Sequence, residues 1–453
     1  MEINIYHTND IHSNFNFLKQ VNQYILQHKC ETDLYFDSGD FADLKSLIVQ
    51  SDKGETAFEL LVSSGLDLMT FGNNEIDLGS ESIEKLVRQG LPVISANLVS
   101  ASGEKIPGLF SSTVLNKAGV RFLIIGLAPY YGEGFKCEGY NQFFSLVNLK
   151  TIEAFEAVQT ELERHKGCYD YTILLSHSGY AVDRKLLDNF PMIDLILGGH
   201  SHDTISHHRY SQSGMGEKLG KIVLSVSNNK IKVIQNEQID LKETDNFEFE
   251  ELYQNAKLKA DSLLATELQI IEELLFDPFH ECQLMNFLCD ALFKNFESDF
   301  AIMHHGIAEK SLIRPVSRKS LIENFPSKLN PTIYEIPGEQ IREAILLSFD
   351  QAHIRQTGRG AGFRGSVLGG LAVSHNVRIK REGIQVLIDG IPLEDQKIYK
   401  IVTDDYLQRG TGYPSLAVDD NQATYDHRFI RELVEESLMD PELFAMINVR
   451  RVI

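Results

Sequence analysis

Residues 171–179 read Tyr-Thr-Ile-Leu-Leu-Ser-His-Ser-Gly, an apolar run that ends in a histidine between small polar residues. A short run of β-branched and apolar residues is typical of a buried strand, and the polar residues mark the loop after it. The same pattern recurs through residues 1–240, with helix-like stretches in between. The candidate strands are 3–6, 34–36, 66–71, 92–95, 121–127, 171–175 and 193–197. This alternation predicts an α/β layered fold.

The remainder of the chain differs in character. Residues 240–266 are charged, contain no glycine or proline, and repeat apolar residues at helical spacing, which predicts a helix that links two domains. Residues 267–453 form a second α/β pattern, with helices predicted at 284–295 and 338–348. We therefore predict a domain at 1–240, a helical linker at 241–266 and a second domain at 267–453.

Charge and composition exclude several classes of partner. The 453 residues include 43 Lys and Arg against 64 Asp and Glu, a formal charge of −21. The phosphates of duplex nucleic acid and an anionic membrane surface would both be repelled, so neither is an expected partner. Nowhere do about 18 consecutive apolar residues occur, so no membrane span is expected. The oligomeric state is not predictable from these data.

The cysteines and the first residues favour a cytoplasmic location. The five cysteines are scattered and include no Cys-x-x-Cys pair, so neither a disulfide framework nor a cysteine-based zinc site is expected. The chain starts Met-Glu-Ile-Asn-Ile-Tyr-His, without the basic and apolar regions of a secretory signal. We therefore expect a protein of the reducing cytoplasm.

Five polar clusters each begin where a predicted strand ends, and each is rich in side chains that bind metals. They are Asp10-Ile11-His12, Asp37-Ser38-Gly39-Asp40, Gly72-Asn73-Asn74-Glu75, Ser176-His177-Ser178-Gly179 and Gly198-Gly199-His200-Ser201-His202. Taken singly, each is as typical of a turn or a buried histidine as of a site. Ligands of open α/β sheets bind outside the carboxyl ends of strands. The joint occurrence of the clusters therefore favours one shared crevice.

The residue types indicate which ligand such a crevice binds. Carboxylates, four imidazoles and a side-chain amide form a nitrogen and oxygen set without a thiolate, which favours Zn, Mn, Fe or Co. The set exceeds the needs of one tetrahedral ion and suits two ions roughly 3.5–4 Å apart that share a carboxylate. Because metal pairs of this kind hydrolyse phosphoesters, we predict two divalent metal ions and a small phosphoester substrate.

The ordered motifs His-Thr-Asn-Asp-x-His, Ser-Gly-Asp, Gly-Asn-x-Glu, Leu-Ser-His-x-Gly and Gly-Gly-His-Ser-His resemble the 5′-nucleotidase branch of the calcineurin-like metallophosphoesterases. The resemblance covers nearly the whole chain. It implies a layered metallophosphoesterase sandwich followed by an α/β 5′-nucleotidase-like domain. It also implies metal ligands: Asp10, His12 and His202 for one ion, Asn73, His177 and His200 for the other, and Asp40 as the bridge.

One motif departs from the family. The family's Gly-Asn-His-Glu is Gly72-Asn73-Asn74-Glu75 here, so the histidine that acts beside an aspartate is replaced by Asn74. An amide can donate a hydrogen bond to a phosphate oxygen but has no titratable proton. Asp77 keeps the position of the partner aspartate. We predict Asn74 and Asp77 as catalytic residues and expect the usual histidine–aspartate pair to be lost.

The second domain matches the family less well. Arginines that the resemblance leads us to expect are replaced by Pro278 or His280 and by Ala308. The motif Gly-Thr-Gly-Tyr-Pro at 410–414 and the aspartate six residues past its tyrosine survive. The predicted substrate-binding residues are Tyr413, Asp419, Arg359 and Arg364. For Tyr413 a structural role is equally compatible with the sequence, and for the two arginines an exposed loop is the simpler interpretation.

The predicted function is a metal-dependent phosphohydrolase. The leading hypothesis is a 5′-nucleotidase, which releases phosphate from nucleoside monophosphates by attack of a metal-bridging hydroxide. Two related activities stay open, because the substrate-binding positions are altered: a 2′,3′-cyclic nucleotide phosphodiesterase, and a nucleotide-sugar or dinucleotide pyrophosphatase. A nucleotide sensor with low activity is a further alternative, which the replacement by Asn74 suggests.

Overall fold

The computed structural model describes residues 1–130, 137–227, 230–360 and 362–453. The chain divides into two compact units, Met1–Ala260 and Asp261–Ile453. The division falls inside the segment that was predicted as a helical linker, within a helix at Phe247–Leu264. Across the described ranges, no helix has the length and apolar character needed to cross a membrane.

The first unit alternates strands and helices, as the sequence predicts. Its strands are β1 (Glu2–Thr8), β2 (Leu34–Asp37), β3 (Leu68–Met69), β4 (Leu98–Ser100), β5 (Ser112–Lys117), β6 (Val120–Leu127), β7 (Leu149–Thr151), β8 (Tyr171–Ser176), β9 (Leu195–Gly198), β10 (Thr204–His207), β11 (Tyr210–Ser213), β12 (Lys218–Ser227) and β13 (Lys230–Asp240). Its helices are α1 (Phe15–His28), α2 (Leu47–Asp52), α3 (Glu55–Ser63), α4 (Asn73–Ile76), α5 (Ser80–Arg88), α6 (Cys137–Leu146), α7 (Ala154–Arg164), α8 (Tyr180–Asn189) and α9 (Phe247–Leu264).

Two sheets pack face to face in this unit. One has the strand order β13-β12-β1-β2-β3 and the other β10-β11-β9-β8-β6-β5. Ile5 and Phe36 of the first sheet share a core with Ile124 and Ile173 of the second, so alternate side chains of both sheets fill the space between them. The outer face of the second sheet is covered by α7 and α8. This arrangement is the predicted α/β layered sandwich.

Two predicted strands differ in the structure. The strand predicted at 66–71 is reduced to β3, and residues 92–95 form only isolated bridges, Met69 with Val93 and Ile94 with Phe110. Pro92 has no N–H to donate to a ladder, which limits regular pairing at this point. The short β-branched run alone could not distinguish an edge bridge from a strand.

The second unit is a separate α/β structure. Its strands are β14 (Glu267–Leu268), β15 (Phe300–His304), β16 (Val316–Ser317), β17 (Pro331–Pro337), β18 (Leu371–Val373), β19 (Val377–Lys380), β20 (Gln385–Ile388), β21 (Ile391–Pro392), β22 (Ile398–Asp404) and β23 (Ala423–Tyr425). Its helices are α10 (Gln283–Asn295), α11 (Arg318–Asn324), α12 (Gly338–Leu347), α13 (Gln351–Ile354), α14 (Asp405–Gln408), α15 (Ile430–Ser437) and α16 (Pro441–Met446). The main sheet has the order β18-β15-β22-β17-β23, and α10 and α12 confirm the two predicted helices.

Candidate metal centre

The loops after β1 and β2 bring three predicted ligands together. The two strands are parallel neighbours, so their carboxyl ends open side by side. Beyond the strands, the N–H of Asp10 donates to Gly39 O at 2.9 Å, and the N–H of His12 donates to Asp40 O at 2.9 Å. These main-chain bonds hold the two loops against each other. Asp10, His12 and Asp40 therefore lie in one crevice.

The other sheet contributes the remaining imidazoles. β8 and β9 are also parallel neighbours, and His177 directly follows β8 while His200 and His202 follow β9. The N–H of His200 donates to Asp10 Oδ2 at 2.8 Å, which joins the two sets of loops. We call the seven predicted ligands the strand-end cluster: Asp10, His12, Asp40, Asn73, His177, His200 and His202.

Six of these residues form two groups, and the ligand atoms of each group lie within 4.8 Å of one another. The groups are Asp10, His12 and His202, and Asp40, His177 and His200. Asp10 Oδ1 lies 3.3 Å from His202 Nε2, and Asp40 Oδ2 lies 3.4 Å from His177 Nε2. The groups adjoin, since His177 Nε2 is also 3.8 Å from Asp10 Oδ1. The two groups of candidate ligands thus adjoin in one crevice.

Three buried ligand atoms in the cluster make no hydrogen bond of regular geometry to the described residues: Asp10 Oδ1, Asn73 Oδ1 and His177 Nε2. Asp10 Oδ1 and His177 Nε2 have only the ionisable neighbours given above, at 3.3 and 3.4 Å. The other oxygen of Asp10 is satisfied, because Oδ2 accepts from Asn9 Nδ2 at 2.7 Å and from the N–H of His200. A buried polar atom without a partner costs roughly 1–3 kcal/mol of stability. Divalent cations would satisfy these lone pairs, so the residues present fit metal ions.

A hydrogen bond at Nδ1 of His177 leaves Nε2 as the ring nitrogen that can bind a cation. Nδ1 lies 2.7 Å from Ser38 O, and since a carbonyl only accepts, Nδ1 is the donor. The Nε2 lone pair is then left for a second proton or for a metal. Burial alone would lower the pKa of His177, but the carboxylates of Asp40 and Asp10 outweigh burial and raise it to about 10. The same negative field favours a metal cation at this place.

Backbone strain coincides with the cluster. Positive φ angles occur at Asp10 (49°), His12 (46°), Asp40 (54°), His200 (74°) and His202 (57°). For residues other than glycine, this conformation costs on the order of 1–3 kcal/mol each and persists only where the surroundings enforce it. Five strained residues in one crevice indicate that the loops are shaped for ligand geometry at some expense of stability.

Two glycines in the motifs are required by close approach. At Gly39, where φ is +91°, a Cβ would lie 2.6 Å from Gly72 N. At Gly72, a Cβ would lie 2.2 Å from Asp40 Oδ1. Larger residues at either position would separate the loops that carry Asp40 and Asn73. The glycines of these motifs therefore serve the packing of the crevice.

Asn74 contacts the predicted bridging carboxylate. Its N–H donates to Asp40 Oδ1 at 2.8 Å, and its Nδ2 donates to Asp40 Oδ2 at 2.7 Å. Nδ2 also lies 3.2 Å from His12 Nδ1. In this arrangement Asn74 orients Asp40 and His12. Asp77 follows α4, where its N–H donates to Asn73 O at 3.1 Å. The catalytic roles predicted for Asn74 and Asp77 stay predictions.

Sequence reasoning assigned no role to Glu75, although it lies in the third cluster. The buried carboxylate accepts from the N–H groups of Asp40 at 2.9 Å, Gly72 at 2.7 Å and Ala42 at 2.8 Å. Burial, followed by the charge of Asp40, raises the pKa of Glu75 to about 7. Glu75 therefore fastens the loop of Asp40 to the loop of Asn73. The glutamate that ends the Gly-Asn-Asn-Glu motif is the feature of the sequence that could have indicated this role.

Gln212 supports the loop of His202, and no sequence motif indicated this role. With its amide oriented to satisfy both ends, Gln212 accepts from the N–H of His202 at 3.1 Å and donates to Tyr210 OH at 2.8 Å. Tyr210 OH donates to Asp183 Oδ2 at 3.2 Å, and Asp183 Oδ1 accepts from Ser176 Oγ at 2.6 Å. This network connects the loop of His202 with the residue before His177. These contacts join elements that are far apart in the chain, so no local sequence pattern predicts them.

The structure gives the predicted substrate-binding residues of the second unit different environments. Tyr413 is 0% exposed, and its hydroxyl donates to Gly369 O at 2.8 Å, so the ring belongs to the core and presents no face to a base. Asp419 and Arg359 are exposed. Arg364 is half-buried, and its Nη1 donates to Phe363 O at 2.9 Å. This arrangement does not support base stacking on Tyr413, and the other three roles stay predictions.

The neighbouring histidines of the second unit have different hydrogen-bond partners, and His304 Nδ1 is buried without a partner among the described residues. His304 and Asp404 are both fully buried, with His304 Nε2 3.0 Å from Asp404 Oδ2. His305 Nδ1 donates to Asp277 O at 2.7 Å. Burial lowers the pKa of His305 to about 4. The two rings thus bond to different partners and do not form a joint metal site in this arrangement.

Comparison with known proteins identifies both halves of the chain. Residues 3–204 match the calcineurin-like phosphoesterase family, and residues 272–417 match the 5′-nucleotidase C-terminal domain. The uncharacterized metallophosphoesterase YunD of Bacillus subtilis is 26% identical over 96% of this chain and 98% of its own length. A 5′-nucleotidase of Diplobatis ommata is 24% identical over 79% of this chain and 70% of its own length.

A solved structure agrees with the architecture. The NAD nucleotidase of Haemophilus influenzae aligns over 96% of both chains with a TM-score of 0.64 at 15% identity, which is a likeness of fold. The family implies divalent metal ions, and the strand-end cluster supplies candidate ligands for them. The chain belongs to the calcineurin-like metallophosphoesterases that carry a 5′-nucleotidase C-terminal domain, and it is a hydrolase of phosphoric esters.

Proposed function

We propose that the strand-end cluster binds two divalent metal ions drawn from Mn, Zn, Fe and Co. Each of the two three-residue groups would hold one ion, Asn73 would complete the second, and Asp40 would bridge them. The observation that carries this proposal is the set of three buried ligand atoms without partners. When bound, such a pair neutralises phosphate oxygens and makes water a nucleophile near neutral pH.

The proposed reaction is the release of phosphate from nucleoside 5′-monophosphates. The 5′-nucleotidase C-terminal domain of residues 272–417 supports this choice of substrate, as does the relative from Diplobatis ommata. The chain's own residues fix the geometry: Asn74 holds both oxygens of Asp40, and Glu75 holds the loop that carries it. Rigid positioning of this kind is what in-line displacement at phosphorus requires.

A substrate panel at saturating Mn²⁺ tests the proposal. The panel contains the nucleoside 5′-monophosphates, a 2′,3′-cyclic nucleotide, UDP-glucose, NAD and bis(p-nitrophenyl) phosphate, and the readout is phosphate or nucleotide release. We expect phosphate from the monophosphates, complete loss of turnover after treatment with EDTA, and recovery when Mn²⁺ is restored.

The same panel separates the alternatives. Cleavage of the cyclic ester or of UDP-glucose and NAD, with monophosphates left intact, would replace the 5′-nucleotidase by a phosphodiesterase or a pyrophosphatase. Tight nucleotide binding without turnover of any ester would instead favour a sensor. The core position of Tyr413 gives these alternatives weight, because the ring is not available for a base as it stands.

We further propose that the protein works in the cytoplasm, with small phosphoesters as partners and without duplex nucleic acid or a membrane. Cys30, Cys168, Cys282 and Cys289 are free thiols, which suits a reducing compartment. Cell fractionation with an antibody against the chain tests this location. Recovery in a secreted or membrane fraction would contradict it.

A further inference from the structure

A cavity of about 300 Å³ lies wholly within the second unit. It is bordered by the segment before α10, by β18, and by residues 450–453. Two rings, Phe279 and Phe349, contribute apolar wall, and three arginines contribute positive charge: Arg381, Arg450 and Arg451. None of these residues was singled out from the sequence.

Arg451 is a fixed part of the wall. Its side chain is 1% exposed, and a terminal nitrogen donates to Asp290 Oδ2 at 2.6 Å in an equally buried ion pair. The other terminal nitrogen donates to Asn286 O at 3.1 Å and to Val373 O. The ion pair with Asp290 neutralises the charge of Arg451, and these bonds hold its side chain in the wall. It supports the cavity and is not the free cation.

Arg381 and Arg450 are different, because neither guanidinium has an ion pair or a hydrogen bond to the described residues. Both side chains are exposed at the cavity. Arg381 lies over the ring of Phe349, 5.1 Å from its centroid, a contact that orients a guanidinium without neutralising it. The chain carries 64 acidic residues against 43 basic ones. Two arginines without an ion pair at one cavity contrast with this overall negative charge.

Glu281, the acidic side chain on the cavity wall, is hydrogen-bonded to the main chain. Glu281 lines the wall, and its two oxygens accept from the N–H groups of Arg451 at 2.6 Å and Val452 at 3.1 Å. Its carboxylate is thus held by the main chain and does not pair with Arg381 or Arg450. His305, also on the wall, is neutral near pH 7, because burial lowers its pKa to about 4. The ionised groups left on the wall are the two guanidinium groups and the Glu281 carboxylate, whose charge the neutral N–H groups do not cancel.

We propose that this cavity is a binding site for a small oxyanion, a phosphate or a compact dicarboxylate. Guanidinium groups bind the paired oxygens of both chemistries through two parallel hydrogen bonds. The two rings add apolar surface beside the guanidinium groups. All lining residues of the site belong to the second unit, so it shares no residue with the strand-end cluster.

Calorimetry on the full-length protein tests the site after EDTA treatment, which removes binding of anions to metal. Inorganic phosphate and malonate are titrated separately, so the experiment also distinguishes the two chemistries. We expect saturable binding of at least one probe. The double variant Arg381→Gln/Arg450→Gln should weaken it at least tenfold, and Arg381→Lys/Arg450→Lys should weaken it less, because charge is kept and the two-pronged geometry is lost.

The matched control is Arg88→Gln/Arg318→Gln, which removes the same charge from exposed positions elsewhere and should change the affinity less than twofold. Circular dichroism confirms that each variant is folded. Should a variant unfold, protection of Arg381 and Arg450 in the parent protein from phenylglyoxal by the bound probe, read by mass spectrometry, gives the answer. Absence of binding by both probes, or an equal loss in the control, would overturn the proposal.

Discussion

Two buried histidines show how differently the two units use the same side chain. His177 in the first unit lies beside two carboxylates that raise its pKa to about 10, and its Nε2 has no partner among the described residues. His305 in the second unit has a pKa lowered to about 4 by burial, and its Nδ1 donates to Asp277 O. The first environment attracts cations, whereas the second keeps its imidazole neutral.

The same contrast extends to the neighbouring residues. The strand-end cluster gathers ligand atoms, strained backbone and unsatisfied lone pairs within one crevice. In the second unit, the conspicuous Tyr413 is a core residue with its hydroxyl satisfied. Candidate ligand atoms without partners, gathered with strained backbone, indicate function, whereas a buried ring with a satisfied hydroxyl indicates folding. The following experiments probe this difference.

The largest effect is expected at Asp40. Asp40→Ala removes the predicted bridging carboxylate and should lower turnover by more than the roughly 10–100-fold that loss of a residue supporting a metal ligand costs, because both proposed cations would lose a ligand. Asp40→Asn, which keeps the shape and one of the two hydrogen bonds from Asn74, should lower it nearly as much. Phosphate release and bound metal are measured for both, with exposed Asp188→Ala as the control. Retained activity in a folded Asp40 variant would refute the metal assignment.

The next largest effect is expected at Glu75. Glu75→Gln turns an acceptor that serves three N–H groups into one with a donor facing them, so at least one buried hydrogen bond is lost. Such a loss costs about 1–3 kcal/mol, and we expect weaker metal binding with it. Chemical denaturation and metal titration measure the two effects, and Glu59→Gln on an exposed helix face is the comparison. Unchanged stability and metal affinity would show that Glu75 does not fasten the loops.

His305 predicts a dependence of stability on pH. Because its folded pKa is depressed to about 4, its contribution is complete above the unfolded value of 6.5 and is lost as pH falls towards 4. The loss is about 1.4 kcal/mol per unit, up to roughly 3 kcal/mol in total. His305→Asn, which keeps a donor for Asp277 O, should flatten this part of the unfolding curve. An unchanged curve in His305→Asn, with exposed His208→Asn alongside, would contradict the assignment.

The smallest effect is expected at Tyr413. Tyr413→Phe removes the hydrogen bond to Gly369 O and should cost about 0.5–1.5 kcal/mol of stability. Turnover and KM should stay within twofold, since the ring is core. A rise in KM well beyond twofold, without a matching loss of stability, would indicate that Tyr413 contacts the substrate.

The strand-end cluster could be predicted because its signals are local. Asp10 and His177 each follow an apolar strand within a few residues, and the carboxyl ends of parallel strands share an edge. The burial of Tyr413 and the N–H groups held by Glu75 depend on loops far apart in the chain. Gln212 supports His202 across two strands without any motif. Such contacts arise from tertiary packing, which a single sequence does not display.

The reduced strand at residues 92–95 illustrates the same limit for the fold. Its composition is that of a strand, but pairing depends on which neighbours present free main-chain groups, and only single bridges form there. The overall layered architecture was nevertheless predictable, because alternating buried strands and amphipathic helices repeat over two hundred residues.

Anomalous diffraction from crystals of the Mn²⁺-loaded protein locates the bound ions. We expect two manganese peaks, one beside Asp10, His12 and His202 and one beside Asp40, His177 and His200. Manganese bound elsewhere, or no peak at either group, would contradict this expectation.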